Sequence, residues 1–163
     1  MDFSMFCPCG SNLAFLNCCQ PFISHHKKPH NAELLMRSRF SAYATKNGSY
    51  VFHTYGIKQQ SVHSIADIQS WADECSWLAL IIHQSEKSIV EFSAYYINED
   101  TLFELREVSK FQLENDQWRY IDGDIIKHNQ LAAVKRNEIC PCNQFQTSWS
   151  SKKNKKYKHC CAT

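Results

Sequence analysis

Eight of the nine cysteines sit at the two ends of the chain: Cys7, Cys9, Cys18 and Cys19 at one, Cys140, Cys142, Cys160 and Cys161 at the other. Each end repeats Cys-Pro-Cys followed by Cys-Cys. Thiolates are soft ligands, and four around a tetrahedral zinc, with Zn–S about 2.3 Å, stand about 3.8 Å apart. Ligand pairs must then come from backbone that turns sharply. Cys7-Pro8-Cys9-Gly10 supplies such a turn, because alternate residues face one side, proline stiffens the bend and glycine permits an unusual φ after it. An adjacent pair such as Cys18-Cys19 reaches one metal only from a turn or helix end, since neighbours on a strand point oppositely. A disulfide within the pair would be strained: consecutive Cα atoms lie about 3.8 Å apart, whereas bridged pairs usually span roughly 4.4 to 6.8 Å. Four cysteines close the coordination shell, so the expectation is two structural zinc ions per chain, one at each end.

Between the ends, roughly Asn31 to His128, the pattern is that of an ordinary α+β domain. Asn31 is placed to cap a helix with Leu35 or Met36, Phe40, Tyr43 and Ala44 at helical spacing, stopped at Asn47-Gly48. Ser64-x-x-Asp67 opens a second helix, with Ile65, Ile68, Trp71, Ala72 and Cys75 along one face, and Cys75 reads as a core thiol. The period then changes to two. Trp77 to His83 and Ser88 to Ile97 read as strands, with Val90, Phe92, Ala94 and Tyr96 on one face of the second. Thr101 to Leu113 and Trp118 to Asp122 follow across short turns, the last closed by Gly123. Helices followed by a run of strands predict an antiparallel sheet with helices on one face, a cone that can enclose a pocket. Arg37, Arg39, His53, Glu91, Arg106, Glu107 and Asp122 are polar candidates for its lining, with Trp77 and Tyr96 as aromatic ones.

Composition narrows the classes. The 163 residues are 44% hydrophobic, 13% aromatic and 21% charged, which suits a folded domain and excludes long disorder or a low-complexity chain. The longest apolar run, Trp77 to Ile82, is strand-sized, so no membrane insertion is expected. The N-terminal residues lack a basic segment followed by an apolar stretch, which points to the cytoplasm, where thiols stay reduced. Only four glycines occur, with no phosphate-cradling loop, and no Ser/His/Asp or Cys/His arrangement declares itself. His25, His26 and His30 are alternative ligands in principle; beside four cysteines they read as part of the linker to the first helix.

Cys-x-Cys, eight residues, then Cys-Cys resembles the SEC-C zinc module, named for the tail of the translocation ATPase SecA, and Cys7, Cys9, Cys18 and Cys19 match it residue by residue. The runs Glu33 to Tyr43, Val90-Glu91-Phe92, Arg106 to Phe111 and Trp118 to Gly123 are similar to the YchJ-like family, a bacterial family of uncharacterised role. That resemblance spans nearly the whole chain. It implies a nuclear-transport-factor-two-like (NTF2-like) cone at 30–128 flanked by zinc modules at 1–29 and 129–163. It also implies a recognition role, since the SecA tail contacts a chaperone and ribosomes.

The second module departs from the motif. Asn143-Gln144 follow Cys142 where the motif has Gly-Ser, and seventeen residues, not eight, separate Cys142 from Cys160. Asn143 can still occupy a left-handed turn conformation, so the bend survives. The longer loop costs only about 0.7 kcal/mol more to close, against roughly 10 to 16 kcal/mol for structural zinc binding. His159 stands as an alternative ligand to Cys161, and a single ion shared by Cys7, Cys9, Cys160 and Cys161 is a further alternative.

Lys152, Lys153, Lys155, Lys156 and Lys158 crowd beside the last cysteines. They either offset the charge of a four-thiolate centre or form a patch for RNA or the ribosome. Eight thiolates remove eight charges and two dications return four, so the formal +2 becomes −2 and the chain is not globally basic. Three function classes follow: a zinc-dependent adaptor that binds a protein partner, a small-ligand binder or enzyme using the cone, and an RNA binder using the lysines.

Overall fold

The computed structural model describes residues 5–145 and 154–162. A 3-10 turn at Phe15–Asn17 and helix α1 (Gln20–Ile23) follow the first cysteines. Helices α2 (Ala32–Ala44), α3 (Gly48–His53), α4 (Ile57–Gln60) and α5 (Ile65–Glu74) come next. The strands are β1 (Ser76–Glu86), β2 (Ile89–Asn98), β3 (Thr101–Glu114) and β4 (Gln117–Ala133). They form one antiparallel sheet in the order β1-β2-β3-β4. This is the α+β cone expected, with a curved four-stranded sheet wrapped on helices.

Local chemistry sets the boundaries. The Asn31 side chain accepts the Leu34 amide at 2.8 Å and opens α2. Ser64 caps α5 by accepting the Asp67 amide at 3.0 Å, as read from the sequence, and its hydroxyl donates to the Asp67 carboxylate at 2.7 Å in place of the backbone bond of a full capping box. Asn47-Gly48 does end α2, but Asn47 at once caps α3 by accepting the Tyr50 amide at 3.1 Å. Glu99-Asp100 and Asn115-Asp116 have positive φ at both positions, which matches the twist of two-residue hairpins.

Two boundaries differ from the expectation. β1 runs on to Glu86, leaving only Lys87-Ser88 as the turn. β4 does not close at Gly123: Gly123 pairs with Ser109 and the strand continues to Ala133. The glycine serves packing rather than chain termination, because a Cβ there would lie 1.9 Å from Glu107 Oε1.

Burial follows the alternation. Trp77, Leu80, Val90, Phe92, Ala94, Tyr96 and Phe111 pack with Leu35, Met36 and Phe40 of α2 and with Ile68 of α5. Cys75 lies in this core, 1% exposed, as expected; Ile65, assigned to the buried face of α5, is exposed. The opposite face of the sheet carries a second cluster built on Leu78, Ile97 and Leu102. No helix among the described residues is long and apolar enough to cross a membrane.

Candidate metal centres

At the N-terminal end a small hairpin brings the ligands together. Phe6 bridges Ala14, and the Cys7 amide donates to the Leu13 carbonyl at 2.8 Å. Gly10 has φ 78° and donates its amide to the Cys7 carbonyl at 3.2 Å, the turn that needs a glycine. The adjacent cysteines follow the 3-10 turn, where Cys18 takes φ −121° and ψ −96°, a sharp bend that lets both neighbours face one point. The Sγ atoms of Cys7, Cys9, Cys18 and Cys19 all lie within 4.8 Å of one another. Cys9 and Cys18 are 3.6 Å apart, and Cys18 and Cys19 are 3.9 Å apart. These spacings suit sulfurs around one tetrahedral ion.

The C-terminal end repeats the construction. Ile139 bridges Lys156, the Cys140 amide donates to the Lys155 carbonyl at 2.9 Å, and a 3-10 turn at Tyr157–His159 precedes Cys160. Cys160 has φ −137° and ψ −107°, the same bend as Cys18. Cys140, Cys142, Cys160 and Cys161 gather within 4.8 Å, with Cys142 and Cys160 at 3.4 Å. His159 is exposed and lies outside the set, so Cys161 rather than His159 completes it. Each end collects its own four sulfurs, which overturns the arrangement shared between the two ends.

Asn143 does not use the left-handed conformation open to it. It sits in a 3-10 turn at Pro141–Gln144, where its Nδ2 donates to the Cys140 carbonyl at 2.9 Å. Its Oδ1 accepts the amide of Asn154, and Asn154 is the residue with positive φ. An asparagine side chain thereby ties the two halves of a module whose connection is longer.

The first four thiols compete for negative charge. Hydrogen bonds from Cys19 and then Cys7 hold the Cys9 thiol far below its usual range, and the bond from Cys19 brings Cys18 down to about 7 against the effect of burial. The Cys19 contact favours a Cys7 thiolate, but the contact with Cys9, burial and the Cys9 charge outweigh it and push Cys7 up to about 12. Cys19, bonded to Cys18, Cys7 and Cys9, is raised furthest. At the other end burial, then Cys142 and Cys140, push Cys160 up to about 12. A dication at the centre of such a set stabilises all four thiolates at once, and its binding releases protons.

Both clusters are fastened to the cone. Cys7 Sγ lies 3.5 Å from Ser41 Oγ, and Arg37 of α2 donates to the Cys9 carbonyl at 2.8 Å. Cys140, Cys142, Tyr157 and Cys160 pack on Leu78, Ile97 and Leu102, and Ser76 donates to the Cys161 carbonyl at 2.8 Å. The sequence carried no local signal for this docking, because each contact joins residues far apart in the chain.

The pocket candidates scatter. Trp77 and Glu107 line a half-open pocket of about 110 Å³ in the cone, beside Arg39, Tyr55 and Tyr120. Arg37 belongs instead to the first module's junction, bonded also to Glu33 at 2.9 Å. Glu91 and Arg106 pair at 2.5 Å on the outer face of the sheet, away from the cone. Tyr96 is core, its hydroxyl 2.5 Å from His128 Nε2. His53 and Asp122 are exposed and do not line the cavity. The role of Arg39 was visible in part: Met36, Arg39, Phe40 and Tyr43 share one helical face, so the arginine interrupts an apolar stripe. Of the lysines, Lys155 and Lys156 are exposed and Lys158 half-buried, while Lys152 and Lys153 lie outside the described residues.

Comparison with known proteins places these features together. Residues 31–123 match the family model described as YchJ, middle NTF2-like domain. A UPF0225 protein of Photorhabdus laumondii is 33% identical over 163 residues, covering 95% of this chain and 97% of its own length. A UPF0225 protein of Vibrio cholerae is 35% identical over 168 residues, covering 96% and 99%. The crystal structure of a SEC-C motif containing protein from Psychrobacter arcticus superposes with a TM-score of 0.65 at 27% identity, over 99% of this chain and 98% of that one. The solution structure of a SEC-C motif containing protein from Rhodopseudomonas palustris gives a TM-score of 0.70 at 29% identity, over 76% and 100%.

Proposed function

The chain belongs to the UPF0225 family of YchJ-like proteins, and from that premise we propose that it is an adaptor in which two structural zinc ions, one in each four-cysteine set, shape surfaces that bind a protein partner. The observation that carries this reading is the pair of closed thiol clusters, each docked on the cone by side chains of the scaffold. Soft sulfur donors in a compact tetrahedral set favour zinc among the common divalent ions, and four protein ligands leave no position for a substrate. The metal then shapes rather than reacts. The modules comprise 1–29 and 129–163 around a scaffold at 30–128, although residues 129–133 also complete β4. Reduced thiols in this number suit the cytoplasm of a bacterium.

The test is capture from bacterial lysate by the zinc-loaded chain, beside Cys9→Ser and Cys142→Ser variants that each disable one cluster. A partner retained by the intact chain and lost from one variant supports the reading; identical capture by all three contradicts it. Exposed Lys155 and Lys156 beside the second cluster favour a further reading as an RNA or ribosome contact. That reading predicts binding that weakens steeply with salt and fails on Lys155→Gln and Lys156→Gln.

A further inference from the structure

The half-open pocket of the cone is lined by two ionisable side chains, Arg39 and Glu107, that form no ion pair with one another. Arg39 is 4% exposed, its guanidinium carbon 4.4 Å from the Tyr55 ring centre and 4.7 Å from that of Tyr120. Its Nη1 donates to the Val51 carbonyl at 2.8 Å and to Thr54 Oγ1 at 2.7 Å, while Nε and Nη2 bond no described residue. Glu107 is 9% exposed, and its Oε1 accepts from Tyr120 and Ser109, both at 2.7 Å. Oε2 bonds no described residue. Gly123 leaves the space this carboxylate occupies, since any Cβ would collide with it. Neither group leaves a buried polar atom without a partner, so Arg39 Nε and Nη2 and Glu107 Oε2 open on the pocket beside Trp71, Trp77 and Phe92.

Charge and size define what fits. A ligand bearing one sign of charge would meet attraction from one of the two groups and repulsion from the other. A neutral ligand with both an acceptor and a donor satisfies Arg39 and Glu107 together, and aromatic walls favour a flat one. About 110 Å³ holds three or four waters, or one small ring in their place. We propose that this cavity binds a small uncharged planar ring with a lactam-type edge, its carbonyl accepting from Arg39 and its N–H donating to Glu107, between the tyrosine and tryptophan rings. This site goes beyond the adaptor reading and involves neither thiol cluster.

The test uses the full metal-loaded chain and follows the indole N–H signals of Trp71, Trp77 and Trp118 by NMR during titration with 2-pyridone. The expected result is a saturable shift of Trp71 and Trp77, which line the cavity, with Trp118 unmoved. Benzoate and benzamidine, charged rings of similar shape, should bind at least tenfold more weakly, and so should benzene. Glu107→Gln, nearly isosteric, and Arg39→Lys should each weaken 2-pyridone binding at least tenfold with metal content unchanged. An absent or non-saturating shift in the unmodified chain overturns the proposal, as does equal binding of benzoate or benzamidine. Undiminished binding by a folded Glu107→Gln chain overturns it too. Because metal content and partner capture are read separately, failure here leaves the adaptor reading intact, and the reverse.

Discussion

Gly123 and Cys75 show how single positions carry the scaffold. Adding a methyl group at Gly123 forces the Glu107 carboxylate aside, so Gly123→Ala is expected to destabilise the chain by about 1 to 3 kcal/mol, read as a lower urea midpoint with unchanged slope. A midpoint equal to that of the parent would show that the strand accommodates the methyl group. Burial pushes the Cys75 thiol from 9.0 up to about 12, against the opposing pull of Lys46. Below pH 9 the thiol is neutral whether the chain is folded or not, and stability is unaffected. Between pH 9 and 12 the unfolded chain ionises and the folded one does not, so stability falls as pH rises through that window. Cys75→Ala should have a flatter profile between pH 9 and 10, below the range where the buried tyrosines Tyr50 and Tyr96, both pushed up to about 12, add the same trend. A profile as steep as the parent's would place the alkaline loss elsewhere.

Among the elements, α2 has two tasks, holding the first cysteine module through Arg37 and Ser41 while presenting Arg39 and Phe40 to the cavity. Arg37→Ala removes the donor to the Cys9 carbonyl and is expected to speed metal loss from the first cluster severalfold in a chelator time course, with the second cluster unchanged. Equal rates at both would mean that the arginine does not brace the module. The two longer helices and the four strands were legible in the sequence because caps, turn residues and apolar spacing act locally, as at Asn31, Ser64 and Asn115-Asp116, whereas the short helices α1, α3 and α4 carry too few periodic positions to be read. The extent of β4 was not: a glycine reads as a breaker until the carboxylate across the sheet is known. The cysteine sets were legible because ligand type and spacing are written in short segments. Glu91 faces away from the pocket, as strand alternation relative to Phe92 requires, and its register neighbour Val108 shares the outer face with Arg106.

At the scale of the molecule, one thiol set is anchored to α2 beside the main core, and the other lies over the outer face of the sheet on Leu78, Ile97 and Leu102. Neither end has a core of its own large enough to fold alone, so under the adaptor reading a sulfur-bound ion would share with the docking contacts the task of ordering it. Removing the ions should therefore loosen both ends while the sheet and α5, which rest on the apolar core, retain their order. Metal analysis of freshly purified, reduced protein tests this account most directly, combined with amide exchange before and after chelation. The prediction is two zinc ions per chain, with protection lost around Cys7–Cys19 and Cys140–Cys161 once they are stripped. A chain that carries no metal and keeps both ends protected in chelator would contradict it.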